Sequence, residues 1–203
     1  MRASLVWSIP CSVLAGLIFT GCQSRVPGTL VELYDRAAPD GVIEIELQRD
    51  GSIIEMEAEV PVSQLPETVL AAAQAEMPEA QVTGAELEYQ GRDRVWEVKL
   101  RYLDRDHELV IDDAGNLLEF ERELGWDEAP PEVLEGANLA IQGGNPVSVE
   151  ILGILQESGE YENLYHVKLD RDGARYKVEL SPNGEVLRKV REARAEIEIP
   201  LAE

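Results

Sequence analysis

Two histidines, two cysteines and several aspartate clusters are the residues of this chain best suited to chemistry. Neither His107 nor His166 has a second histidine three or four residues away, the spacing of a zinc pair. His166 is predicted on the wet face of a sheet and His107 beside a turn, so neither reads as a ligand or a catalytic base. The clusters Asp104-Arg105-Asp106, Asp112-Asp113 and Asp170-Arg171-Asp172-Gly173 invite a calcium reading. An EF-hand needs oxygen ligands at regular spacing through a longer loop with a closing Glu, and none of the three supplies it. Asp and Gly are also what hairpin turns require, and that reading is preferred. The sequence offers no Gly-x-Ser-x-Gly nucleophile elbow and no phosphate-binding glycine loop after a strand. It therefore predicts no catalytic residue, no metal site, no cofactor and no enzyme.

Both cysteines belong to the N-terminus. Arg2 followed by the apolar stretch Leu5 to Phe19 reads as an export signal, shorter than the ~20 apolar residues of a spanning helix. Cys11 lies within it. The stretch ends in Phe19-Thr20-Gly21-Cys22, which resembles a bacterial lipobox, with Cys22 lipidated and made the mature N-terminus. No thiol then remains for a disulfide or a nucleophile. Gln23 and Ser24 follow the cysteine instead of Asp, which by the Gram-negative sorting pattern directs the lipoprotein to the outer membrane, facing the periplasm.

The formal charge is −22 over 203 residues. Residues 41 to 90 hold many Glu and one cationic side chain, Arg49, whereas from Lys168 onward Lys and Arg nearly balance Asp and Glu. Such a surface repels nucleic acid, so phosphate-backbone binding is not expected. Solubility and spacing from an anionic membrane account for the charge most simply; attraction of a basic partner or divalent cations is the sharper reading.

The elements that would position these groups follow from periodicity. Residues 1–22 are the signal peptide, and 23–40, with Pro27, Gly28 and Pro39, read as a tether. Residues 41–61 form a hairpin turning at Gln48-Arg49-Asp50-Gly51, with Ile54, Met56, Ala58 and Val60 on one side and Glu55, Glu57 and Glu59 on the other. Pro66 opens a helix whose apolar stripe is Val69, Leu70, Ala73 and Met77. Strands are predicted at about 82–89, 94–102, 107–112 and 116–123. A second helix, with Pro130, Val133, Leu134, Ala137 and Ile141 at matching positions, precedes strands at about 147–155, 163–169, 174–180 and 185–190. Trp96, Val98, Leu100 and Tyr102 alternate with Glu97, Lys99 and Arg101, the signature of a sheet with one buried and one wet face. Trp126 is expected to pack at the junction of the two halves.

The segment Trp96-Glu97-Val98-Lys99-Leu100 is echoed by Tyr165-His166-Val167-Lys168-Leu169. The turn Asp113-Ala114-Gly115-Asn116 is echoed by Pro182-Asn183-Gly184-Glu185. A helix with a starting Pro, a Tyr/Trp-x-Val-x-Leu strand and a polar-Gly turn into a last strand resembles the PepSY-like modules of secreted bacterial proteins. Tandem modules of this kind are similar to the β-lactamase-inhibitor-like fold. The resemblance covers Leu65 to about Val190, and Lys189 departs from it where Phe120 stands in the first copy.

The fold expected is α+β. Two tandem modules, residues 62–125 and 126–203, each pack one helix on a four-stranded antiparallel sheet, and the N-terminal hairpin extends a sheet edge. The resemblance implies an envelope binding or inhibitory domain with no catalytic residues to carry over. The function expected is a non-enzymatic, lipid-anchored envelope protein that binds another protein, of unknown identity, through an exposed sheet face or the Gly143-Gly144-Asn145-Pro146 connection. Candidate contacts are Glu97, Lys99, Arg101, His166, Lys168 and Lys177. The alternatives are an inhibitor of a secreted hydrolase (a protease or a β-lactamase) and an acidic cation-binding lipoprotein.

Overall fold

The computed structural model describes residues 30–91, 93–156 and 158–194; the signal segment and Cys22 lie outside them. The elements run α1 (Leu30–Arg36), β1 (Ile43–Leu47), β2 (Ile53–Glu59), α2 (Glu67–Glu76), β3 (Gln81–Gln90), β4 (Asp93–Tyr102), β5 (Arg105–Asp112) and β6 (Leu117–Glu123). They continue with α3 (Pro131–Ala140), β7 (Asn145–Leu155), β8 (Tyr161–Arg171), β9 (Ala174–Leu180) and β10 (Val186–Arg191). Pro66 and Pro130 sit at the N-caps of α2 and α3, one residue before the first turn.

The two-module architecture is corrected by the strand pairing. Among the described residues all ten strands belong to one sheet, each antiparallel to its sequence neighbours, in the order β1 to β10. The sheet does not divide at residue 125. Instead β6 pairs with β7 over Glu119↔Ile154 to Glu123↔Glu150, across the connection that contains α3. Phe120 seals that junction: its ring lies directly over Gly153, where a Cβ would collide with it, and it stacks edge-on against Tyr161 at 5.4 Å. An aromatic laid over a strand glycine restores packing that glycine itself cannot provide. The β1–β2 hairpin joins the β3 edge of the same sheet.

All three helices contact the same continuous sheet, and the apolar alternation explains the face they cover. Leu87, Trp96, Val98, Leu100 and Ile111 are buried under α1 and α2, together with Val69 and Ala73 from α2 itself. Under α3 the core is Val149, Val167, Leu169, Val178 and Leu180, met by Val133 and Ala137. Each Val, Leu or Ile among them stabilises the fold by roughly 1.5–3 kcal/mol on full burial. The segment expected as tether holds a helix in this core: Leu33 of α1 is fully buried beside β2. Trp126, expected at a junction, is 42% exposed.

Two latches fix the helices. On α2, Thr68 Oγ1 donates to the Asp113 carbonyl at 3.0 Å, and the Asp113 carboxylate in turn accepts from Trp96 Nε1 at 2.8 Å. On α3 the backbone itself makes contact: a Cβ on Gly136 would run into the Gly184 carbonyl and the Leu180 side chain. Gly184 has φ +81°, so the turn before β10 favours glycine on conformational grounds as well.

Candidate functional site

On the face away from the helices the alternation places polar residues, and that face is concave. Arg188 of β10 forms an ion pair with Glu46 of β1, and Glu55 of β2 feels the charge of Lys177 on β9. The first and last strands therefore approach one another across a trough, as the right-handed twist of a long sheet allows. This explains the uneven charge along the chain. The Glu-rich strands β1–β3 form one wall, and His166, Lys168, Lys177 and Arg188 lie on the opposite one.

The six residues expected at a wet face all project into this trough. Glu97, Lys99 and Arg101 come from β4, His166 and Lys168 from β8, and Lys177 from β9. The face is not simply wet, however. His166 is only 5% exposed, and Glu86 and Glu88 on the facing wall are buried as well. Curvature crowds the side chains until they shield one another, which an alternation pattern read along single strands does not show. Lys99 bonds Glu86 at 2.7 Å and approaches Glu97 at 3.7 Å; Lys168 bonds Glu150 at 3.2 Å. Arg101 lies at the end of the trough, paired with Asp106 at 2.6 Å.

Glu57, Glu88, Glu108, Glu121 and Glu150 join the site although no sequence motif marks them. Their signal was present in the runs Glu55-x-Glu57-x-Glu59 and Glu119-x-Glu121-x-Glu123, in which carboxylates recur on one strand face. Glu57 pairs across strands with Glu44 and Glu88, and Glu108 with Glu121. Like charges opposite one another are unfavourable. Burial, reinforced by the repulsion of Glu86, Glu55, Glu44 and Glu88, pushes the Glu57 carboxyl up to about 9. Burial and Glu55 push Glu88 to about 8, and burial and Glu121 push Glu108 to about 7. Burial likewise raises Glu97 well above the carboxylate range, against the pull of Lys99. At neutral pH several of these groups hold their protons. They are carboxyls short of a counter-cation.

On the opposite side the balance reverses. Burial opposes ionisation of both partners, yet contact with Glu121 and Glu179 raises His166 to about 9 and holds Glu121 below its ordinary value. His166 Nε2 lies 3.4 Å from Glu179 Oε2, and Nδ1 lies 2.9 Å from Glu121 Oε1 but without hydrogen-bond geometry. His107, by contrast, sits in β5 at 9% exposure, its ring 6.4 Å from Tyr102, and burial lowers its pKa. The aspartate clusters are turns: Asp104 and Asp172 adopt positive φ, and Asp112 accepts from the backbone N–H groups of Ala114 and Asn116.

Residues 31–119, from α1 into β6, match the family model for beta-lactamase-inhibitor-like, PepSY-like proteins. The first half of this chain is similar to that family. The match begins earlier than the resemblance read from the sequence, taking in α1 and the first hairpin, and stops before the second half. No curated protein matches the chain. Among solved structures, a DUF2874 family protein from Bacteroides uniformis is 18% identical with a TM-score of 0.51, over 63% of this chain and 89% of its own. A protein from Bacteroides eggerthii, described as periplasmic, is 16% identical with a TM-score of 0.50, over 62% and 88%. A BLIP-like protein from Bacteroides fragilis is 20% identical with a TM-score of 0.48, over 66% and 92%. At these identities the likeness is one of fold. Among the described residues no helix is long and apolar enough to cross a membrane.

Proposed function

We propose that this is a non-enzymatic binding module of the bacterial envelope, anchored by lipid on Cys22 at the periplasmic side of the outer membrane, whose trough receives a basic segment of another protein. The observation that carries the reading is the uncompensated acidity of the carboxyl cluster on β2 to β5. Glu57, Glu88, Glu97 and Glu108 are crowded, desolvated and raised in pKa. Perturbed groups of this kind gather at functional sites, and a Lys or Arg entering the trough would supply the missing counter-charge and offset the carboxylate repulsion. Nothing in the site supplies a nucleophile with a base, which favours binding over catalysis. The PepSY-like match and the fold-level likeness to a protein described as periplasmic support an envelope location.

The test is capture of envelope proteins by the wild-type chain and by a Glu57→Gln/Glu97→Gln/Glu108→Gln variant. These substitutions keep side-chain volume and remove the carboxyls that an entering cation would ionise. The expected result is one stoichiometric basic partner captured by the wild type and lost by the folded variant. Equal capture by both would place the contact elsewhere. The anchor has its own test: Cys22→Ser should move the protein from the membrane fraction to the soluble one. A second reading, that the partner is a secreted hydrolase under inhibition, draws on the inhibitor-like description of the matching family. It requires stoichiometric loss of β-lactamase or protease activity on mixing.

A further inference from the structure

On the wall opposite the carboxyl cluster, three adjacent strands bring Glu121 (β6), Glu150 (β7) and His166 (β8) together, with one ligand atom from each lying within 4.8 Å of the others. Glu150 and His166 are direct cross-strand partners. Glu150 Oε2 is buried without a partner, and His166 Nδ1, on a side chain 7% exposed, faces Glu121 Oε1 at 2.9 Å without hydrogen-bond geometry. A native fold rarely leaves such an atom orphaned, and a cation held between Glu150 Oε2, Glu121 Oε1 and His166 Nδ1 would satisfy it. The neighbouring contacts do not. Lys168 and Ser148 both engage Glu150 through Oε1, leaving Oε2. Glu179 faces His166 at Nε2, the far side of the ring from Nδ1.

We infer that Glu121, Glu150 and His166 form a binding site for a borderline divalent cation of the zinc type, with Glu179 orienting the imidazole. Glu179 on Nε2 fixes the ring orientation, the usual second-shell arrangement at a metal-bound histidine, and the metal takes the place of the proton that Nδ1 otherwise holds against Glu121. One imidazole nitrogen with two carboxylates suits Zn²⁺, whereas Ca²⁺ prefers oxygen alone. The ligands stand on neighbouring strands of a sheet, a rigid frame for such a set. A cavity of about 240 Å³ is lined by two of the three ligands, Glu121 and Glu150, together with Glu108 and Lys168. A second group, Glu57, Glu88 and Glu97, is also close enough to share an ion, but it is all carboxylate and contains no orphaned atom. It serves as the internal control.

The experiment is calorimetric titration of the full chain with Zn²⁺, thiols alkylated, in the presence of excess Ca²⁺. No partner protein is present, so the outcome is separate from the partner reading. One equivalent of Zn²⁺ should bind. Binding should be lost in Glu150→Gln and His166→Gln, weakened about 10–100-fold in Glu179→Gln, and unchanged in Glu57→Gln/Glu97→Gln. Circular dichroism checks that each variant is folded; if His166→Gln is not, Glu150→Gln carries the test. No zinc binding, full competition by Ca²⁺, or unaltered affinity in Glu150→Gln would each overturn the assignment.

Discussion

Replacing Glu57 by Gln should stabilise this protein, and by more as the pH rises. Glu57 lies in β2 between Glu44 and Glu88, and burial together with the surrounding carboxylates raises its pKa from 4.5 to about 9. Between those two values the folded chain keeps a proton that the unfolded chain releases. Folding then binds protons, so stability falls as pH increases through that window, by at most about 1.4 kcal/mol per pH unit. From the unfolded value to pH 7 the loss amounts to on the order of 3 kcal/mol, and it levels off above pH 9. Gln has nearly the same shape and no proton to lose. The variant should match the wild type near pH 4.5 and exceed it by roughly 2–3 kcal/mol at pH 7. Urea denaturation followed by tryptophan fluorescence at pH 5, 6, 7 and 8 measures this directly. A stability difference that does not change with pH, or a variant less stable at pH 7, would refute the reasoning.

Two further substitutions probe the other side of the sheet. Gly136→Ala should destabilise by about 1–3 kcal/mol, because the added methyl meets the Gly184 carbonyl, a backbone atom that cannot turn aside. Its urea midpoint would fall at every pH, in contrast to Glu57→Gln. Leu33→Ala should cost about 2–5 kcal/mol if α1 is an integral part of the core, since Leu33 is wholly buried. A melting temperature equal to wild type would return residues 30–36 to the status of a tether.

The elements were legible because each depends on neighbours in the chain. Alternation in Trp96-Glu97-Val98-Lys99-Leu100 set both the strand and the face of every side chain, and the helical stripe Val69, Leu70, Ala73 and Met77 announced α2. The short helix α1 was harder, since seven residues carry barely two turns of periodicity and its partner, β2, lies beyond the next hairpin strand. Of the site, the sequence supplies the residues but not their environment: Glu97, His166 and Lys177 are candidate contacts on an exposed sheet face, whereas in the fold His166 is buried.

What the sequence determined is therefore a set of two-faced strands, with carboxylates concentrated toward the beginning of the chain and cations toward its end. Whether those strands made two sheets or one was left to a single pairing, β6 with β7, between segments separated by α3. Local periodicity is the same in both arrangements, because the strand faces do not depend on which edge each strand joins. Once the ten strands are joined, twist carries β1 round toward β10 and sets Glu46 against Arg188. Only then do the two charge-rich ends of the chain become opposing walls, crowded enough to desolvate Glu57 and to bury His166.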